Sequence, residues 1–280
     1  MISTLDAIKV TGGFGETPTV EGGWPVKMDQ TRVVVLNKGN GSTVTGANTT
    51  VEVNYIGING RTGQTFDSSF GRQTVRFPLD QVVTGFAKGL QGQTVGSRVL
   101  IGMTGEDGYD AGGGNAQAGI QVGDSLFFVV DVMSTPLNGP SGSPVQPAAA
   151  LPIVTDNNGT PSVSIPAGVA APVELQVQPL IKGDGATVQE TDLITVNYLA
   201  VNFADGQTIE STYGQGTQTG PINTLIPGWR KGLVGQPVGS RMLLVVPPGD
   251  AYPEGSSSQA YPTGATVVFV VDLLYTQPYA

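Results

Sequence analysis

Glu106, Asp107 and Asp110 stand together in the Gly-rich stretch GEDGYDAGGGN, where three carboxylates could gather a hard cation. A calcium loop needs ligands at alternating positions ending in a bidentate Glu, and this stretch lacks that spacing. Asp67, in TFDSSFGR, has on its own the surroundings of a turn or cap residue, because Asp and Ser favour sites where the side chain bonds the local backbone. The chain holds no Cys and no His. A thiol nucleophile, a Ser-His-Asp triad, an imidazole base and the usual zinc ligand sets are therefore excluded. What is left is carboxylate chemistry, binding without chemistry, or a reaction that needs only a shaped apolar environment.

The formal net charge is −9, and the 13 Lys and Arg are scattered singly, so there is no basic stripe to neutralise phosphates and no nucleic acid is expected as a partner. The apolar runs LFFVV before Asp131 and VVFVV before Asp272 are of strand length, far below a membrane span. Richness in Gly, Pro, Thr, Ser, Asn and Val with 12% charged residues suits an exported bacterial surface protein. Residues 1–10 carry neither a basic n-region nor an apolar h-region. The expectation is an extracytoplasmic protein, secreted or a cell-surface lipoprotein, from which any signal sequence has been removed.

Behind these residues lies a duplication. GFAKGLQGQTVGSR from Gly85 returns as GWRKGLVGQPVGSR from Gly228, ten of fourteen letters alike at an offset of 143 residues, and Tyr55 and Tyr198, Arg98 and Arg241, TPTV and TPSV keep the same offset. Two domains follow, since a unit of this length can bury its own core. STPLNGPSGSPVQPAAAL, with four prolines and no charge, reads as the connection. The expected boundaries are residues 1–133, a linker at 134–151, and 152–280.

Most segments of a repeat alternate with period two and are rich in Val, Ile, Thr and aromatics, among them TTVEVNYIG, SRVLIGM and SLFFVVDVM, and DLITVNYLAV and SRMLLVV in the second copy. These spacings predict strands. In TGFAKGLQGQ, by contrast, Phe86 and Leu90 are four apart and share one face of a short helix. So Gly-rich a helix cannot stand alone in water, and it must pack its Phe86/Leu90 or Trp229/Leu233 face on the sheet. The fold class is α+β, with one short α-helix against an antiparallel sheet, twice over.

VNYIG, GQTFDSS, VVTGFAKGLQGQTVGSR, GEDGYD and LFFVVDV, in this order and found twice, resemble the FKBP-type peptidyl-prolyl isomerases. The resemblance covers about residues 30–134 and 173–276. It implies a strongly bent antiparallel sheet wrapped around the helix, with an aromatic pocket for a proline side chain between them. Carried over, the first pocket comprises Tyr55, Phe66, Asp67, Phe77, Val82, Val83, Phe86, Tyr109 and Phe128, with Ile120 on a flap. Phe86 would be the floor, where the family usually has Trp, and Val83 would offer its N–H to a substrate carbonyl. Asp67 would be a rim group beside Tyr55, held by Arg72. Proline-containing clients and tacrolimus- or rapamycin-like macrolides are the implied partners, without cofactor or metal.

The second repeat departs from this pattern. Ile209 and Glu210 replace the Phe-Asp pair, Gln215 stands where Arg72 was, and Gly220 falls where Phe77 was. It keeps Tyr198, Leu225, Ile226, Tyr252 and Phe269, and it has the Trp floor at Trp229. The expectation is a first domain that isomerises X-Pro bonds and a second that is weakened or only binds. A non-catalytic proline-peptide or chaperone module, or a structural surface protein, are the alternatives. The extensions Ile8 to Lys27 and Pro152 to Pro172 lie outside the resemblance, and the expectation for them is a strand added to each parent sheet or a surface for a partner.

Overall fold

The period-two segments become antiparallel strands. The computed structural model describes residues 5–46, 49–256 and 261–279, and the chain divides into two units, Met1–Pro136 and Leu137–Ala280. In the first, β1 (Ile8–Thr11) and β2 (Thr19–Gly22) pair with each other, and β3 (Arg32–Asn37), β4 (Thr50–Asn59), β5 (Thr65–Ser68), β6 (Val75–Pro78), β7 (Arg98–Met103) and β8 (Leu126–Ser134) form the main sheet. Its order is β3-β7-β8-β4-β5, with β6 paired to the opening residues of β4. One α-helix, α1 (Thr84–Leu90), precedes β7.

The second unit repeats this plan. β9 (Gly142–Pro144) is followed by the hairpin β10 (Ile153–Asn157) and β11 (Thr160–Ser164). Then come β12 (Gln176–Gly183), β13 (Asp192–Asn202), β14 (Thr208–Ser211), β15 (Gln218–Pro221), α2 (Pro227–Leu233), β16 (Arg241–Val246) and β17 (Val267–Pro278). The sheet order is β14-β13-β17-β16-β12-β9, with β15 on β13.

The duplicated string holds the helix to the sheet. Phe86 and Leu90 are buried in a cluster with Val99, Ile101 and Phe128, as expected. The glycines beside them are required by close approach: a Cβ on Gly85 would lie 2.7 Å from Cβ of Met103, and one on Gly89 2.3 Å from Cδ1 of Ile101. Gly228 and Gly232 sit equally close to Val246 and Leu244. A seven-residue helix is too short to persist by itself; without side chains at these two positions it lies flat on β7 and gains its stability there. Lys88 then ties α1 to the acidic loop, with Nζ 2.9 Å from Asp107, and Lys231 does the same with Asp250 at 2.7 Å.

Arg98, which ends the string, points to the opposite face of the sheet. Its guanidinium and the Asp131 carboxylate are both buried and doubly bonded at 2.6 and 2.7 Å. Arg98 also donates to the carbonyls of Gly12 and Glu16, and the Gly15 N–H donates to Asp131. In the second unit Arg241 pairs with Asp272, reaches Asp156 and the Gly159 carbonyl, and Tyr213 donates to Asp272 at 2.8 Å. The extensions are thus clamped onto a buried ion pair. Each extension forms a hairpin of its own over the outer sheet face instead of adding a strand to the parent sheet. Leu5, Ile8, Val26 and Met28 there cover Leu100, Phe127 and Val129. Both faces of β8 are consequently buried, which accounts for its uninterrupted apolar run.

The stretch read as a linker also differs from expectation. Within it Gly142–Pro144 pairs with Ile181–Gly183 as the edge strand β9, and the Ser141 and Val145 N–H groups donate to the Gly239 and Leu180 carbonyls. An edge strand uses only one side of its backbone, so its proline forfeits no ladder bond.

Candidate active site

Four strands and the helix bring the aromatic residues of the first unit together. Tyr55 comes from β4, Phe66 and Asp67 from β5, Phe77 from β6, Phe86 from α1 and Phe128 from β8. Phe86 is the hub, with ring centroids 5.3 Å from Phe128, 5.9 Å from Phe77 and 6.1 Å from Tyr55, each edge-on. Phe66 meets Phe128 at 5.6 Å, also edge-on. These are the favoured geometries of aromatic pairs, in which a ring edge meets the negative face of its neighbour. Phe66 can lie across β4 because Gly57 is beneath it; a Cβ there would stand 2.5 Å from the ring.

Val82, Val83, Tyr109 and Ile120 pack on the same cluster. Val83 caps α1 with its carbonyl, which accepts from Phe86 and Ala87. Its own N–H has no partner among the described residues, as a donor to a bound carbonyl requires. Ile120, on the loop expected as a flap, is held by two backbone bonds with Asn115 and is 4% exposed, so the flap packs against the core.

The rim is polar. Tyr55 donates its hydroxyl to the Asp67 carboxylate, which also accepts the Ser68 N–H at 2.8 Å. Burial, and then the bond and charge of Asp67, push the Tyr55 phenol far above its ordinary value. Burial and the Asp67 charge push Tyr109 up as well. Both phenols are donors throughout the neutral range. Arg72 does not hold Asp67 in an ion pair among the described residues; Tyr55 does. Of the loop acids, Asp107 is taken by Thr31 and Lys88, which lower its pKa, and Asp110 accepts the Gly123 N–H.

In the second unit Tyr198, Trp229 and Phe269 meet edge-on at 5.1 and 5.4 Å. Leu225, Ile226, Ile209 and Tyr252 pack around them. Ile226 repeats the arrangement of Val83, with a capping carbonyl and an N–H that has no partner among the described residues. The indole N–H of Trp229 is also buried without a partner among them. A cavity of about 240 Å³ opens here, lined by Tyr198, Glu210, Gly220, Trp229 and Tyr252.

Tyr261 completes this wall, and sequence reasoning missed it. It is stacked on Tyr252 at 4.3 Å and donates to Glu210 at 2.8 Å. Its carbonyl accepts the Ser256 N–H as the Ile120 carbonyl accepts that of Asn115, so Tyr261 is the counterpart of Ile120. Glu210, which has Gln215 where the first domain has Arg72, is held by this tyrosine; burial, and then the bond and charge of Glu210, also raise the Tyr198 phenol.

An apolar aromatic cage beneath a Tyr-acid rim, beside an unpaired N–H at the start of a short helix, occurs in each half of the chain. The sequence pattern of the FKBP-type peptidyl-prolyl cis-trans isomerases matches residues 41–133 and 185–274. The chain belongs to this family, with two FKBP domains in tandem. Among curated relatives, a probable FK506-binding protein of Corynebacterium glutamicum is 38% identical over 116 residues, 41% of this chain and 96% of that one. An FK506-binding protein of Streptomyces anulatus is 32% identical over 119 residues, 41% of this chain and 94% of that one. Among solved structures, a wheat protein with three FKBP domains is 18% identical, covers 88% of this chain and 94% of its own, and has a TM-score of 0.38.

Proposed function

We propose that this FKBP-type isomerase speeds the cis–trans exchange of X-Pro bonds in extracytoplasmic polypeptides, with turnover mainly in the first FKBP domain and ligand binding in the second. The observation that carries the reading is the cage around Phe86 next to the unpaired Val83 N–H. The barrier to peptide rotation, ~18 to 20 kcal/mol, comes from C–N double-bond character. At X-Pro both isomers are populated and exchange in tens to hundreds of seconds. No bond need be broken. A water-poor aromatic cage disfavours the charge-separated planar imide, and the Val83 N–H anchors one carbonyl while the C–N bond turns, so the twisted form binds better than either planar one.

The division of labour rests on the rims. In the first domain Phe66 adds an aromatic edge and the Tyr55–Asp67 pair fixes the polar side. In the second, Ile209 lacks that edge and Glu210 is drawn to Tyr261. The extracytoplasmic setting rests on composition, a chain rich in Gly, Pro, Thr, Ser, Asn and Val with only 12% charged residues.

A protease-coupled isomerase assay on the whole chain tests this reading. The chain should accelerate exchange of an apolar-X-Pro peptide, and a tacrolimus-type macrolide should inhibit it. Asp67→Ala should fold normally and lose activity several-fold, while Glu210→Ala should change the rate little. A rate equal to the uncatalysed one, or the larger loss in Glu210→Ala, would refute it. Detection of the protein in the cytoplasmic fraction alone would refute the proposed setting.

A further inference from the structure

The two pockets differ at one wall in a way the backbone does not require. In the first domain Phe77 stands opposite Val51 in the β4–β6 register, and its ring is 5.9 Å from both Tyr55 and Phe86, filling the wedge between them. In the second domain Gly220 stands opposite Ile194 in the β13–β15 register. Gly220 does not have the left-handed φ that favours glycine, and a Cβ on it would meet nothing within 4 Å. Neither strain nor crowding asks for glycine there. The space that its missing side chain leaves open belongs to the cavity, which runs from Trp229 past Gly220 to Gln218 and Thr219 over Ile194 and Val196. Ile194 and Val196 are buried, so the floor of this added space is apolar.

We propose that Gly220 determines specificity: the second pocket takes a prolyl group together with one further ring-sized apolar group, of phenyl type, which the first pocket excludes because Phe77 already fills the corresponding place. This inference rests on the reading of the second pocket as a proline site. A slot that a ligand side chain fills removes its apolar surface from water, and in proportion to that area the ligand gains affinity. Even one methylene more or less in an apolar pocket shifts selectivity about tenfold or more.

The test uses the whole chain and three probes, the N-acetylated amides of Ala-Pro-Ala, Phe-Pro-Ala and Ala-Pro-Phe, so that a phenyl ring is offered on either side of the proline. Binding at the second pocket is read from the NMR signal of the Trp229 indole N–H, assigned by its disappearance in Trp229→Phe. At least one phenyl probe should bind there about tenfold or more tightly than Ala-Pro-Ala. Gly220→Phe should abolish that gain, so that the phenyl probes bind no more tightly than Ala-Pro-Ala to the same variant. Gly220→Leu, a smaller filling, should reduce the gain and serves in place of the first variant if its spectrum shows loss of fold. Equal affinity of the three probes, or a gain that survives both substitutions, overturns the inference and leaves the second pocket a proline site. If no probe shifts Trp229, the proline-site reading of that pocket falls, and the inference with it.

Discussion

Tyr261 donates its hydroxyl to the Glu210 carboxylate at 2.8 Å, so the second rim has a partner from the flap side besides Tyr198 of β13, whereas in the first Tyr55 of β4 holds Asp67. The longer carboxylate arm and the flap tyrosine act as a pair. Tyr261→Phe should therefore loosen the rim of the second pocket without touching the first. Because Glu210 is solvent-exposed, the stability lost should be only about 1 kcal/mol, but affinity for a prolyl ligand at Trp229 should change. Thermal melting and ligand titration measure both, and an unaltered affinity would mean that this bond does not shape the pocket.

Reconverting the second rim to the first requires a fourth change beyond the three at 209, 210 and 215. Gly57, which lets Phe66 lie across β4, pairs with Asp67; at the same register position of the second sheet is Ala200, paired with Glu210 and fully buried. Ile209→Phe with Glu210→Asp and Gln215→Arg should therefore fold less stably than the parent, by about 1 to 3 kcal/mol of overpacking. Adding Ala200→Gly should recover part of that loss and raise isomerase activity. Melting and activity of the triple and quadruple variants, side by side, decide it; a triple variant as stable and active as the quadruple would contradict the steric reading.

The buried pair of Arg98 and Asp131 offers a stability test. Asp131→Ala leaves the guanidinium buried without its counter-ion, with the Gly12 and Glu16 carbonyls and the Phe70 ring still beside it, and also frees the Gly15 N–H. A loss of about 3 to 5 kcal/mol is expected for breaking such a pair on one side. Urea unfolding of the whole chain should show it as an earlier transition of the first domain. A shift no larger than that of an exposed substitution would mean that the extension is not held by this clamp.

Alkaline pH should weaken the fold through its buried phenols, several of which donate to carboxylates. Burial foremost raises the phenols of Tyr55, Tyr198, Tyr213 and Tyr261 above the ordinary value of about 10. A group with a raised folded pKa gives its full stabilisation below the unfolded pKa, because only above it does the unfolded chain release a proton that the folded chain keeps. Stability should be flat up to about pH 10 and then fall. Tyrosinate absorbance followed with circular dichroism should show these phenols ionising together with unfolding; ionisation in the folded protein near the ordinary value would overturn their burial.

Much of this was legible in the residues themselves. The alternation of SRVLIGM and the four-residue spacing of Phe86 and Leu90 have direct physical meaning, and both strand and helix form as read. The aromatic pocket members were brought together because an ordered set of short motifs, present twice, identified their family. Tyr261 escaped because the stretch from Tyr252 to Phe269 is two residues shorter than that from Tyr109 to Phe128, so a constant offset of 143 misaligns the flap. The extensions escaped for another reason. Their hairpins depend on a buried ion pair whose partners are far apart in sequence, and a Gly12 carbonyl carries no side-chain signal of its partner.

The strand β9 has a bearing on how the second domain is to be isolated. A fragment beginning at Leu151 would keep every pocket residue and every strand of the second FKBP domain except this one. It would also bare the outer hydrogen-bonding edge of β12, where Ile181, Lys182 and Gly183 are now paired and Val177 is already exposed. Open edges of this kind recruit strands from other chains. The proline-rich connection therefore acts as a guard against aggregation, and a fragment begun at Leu137 retains that guard.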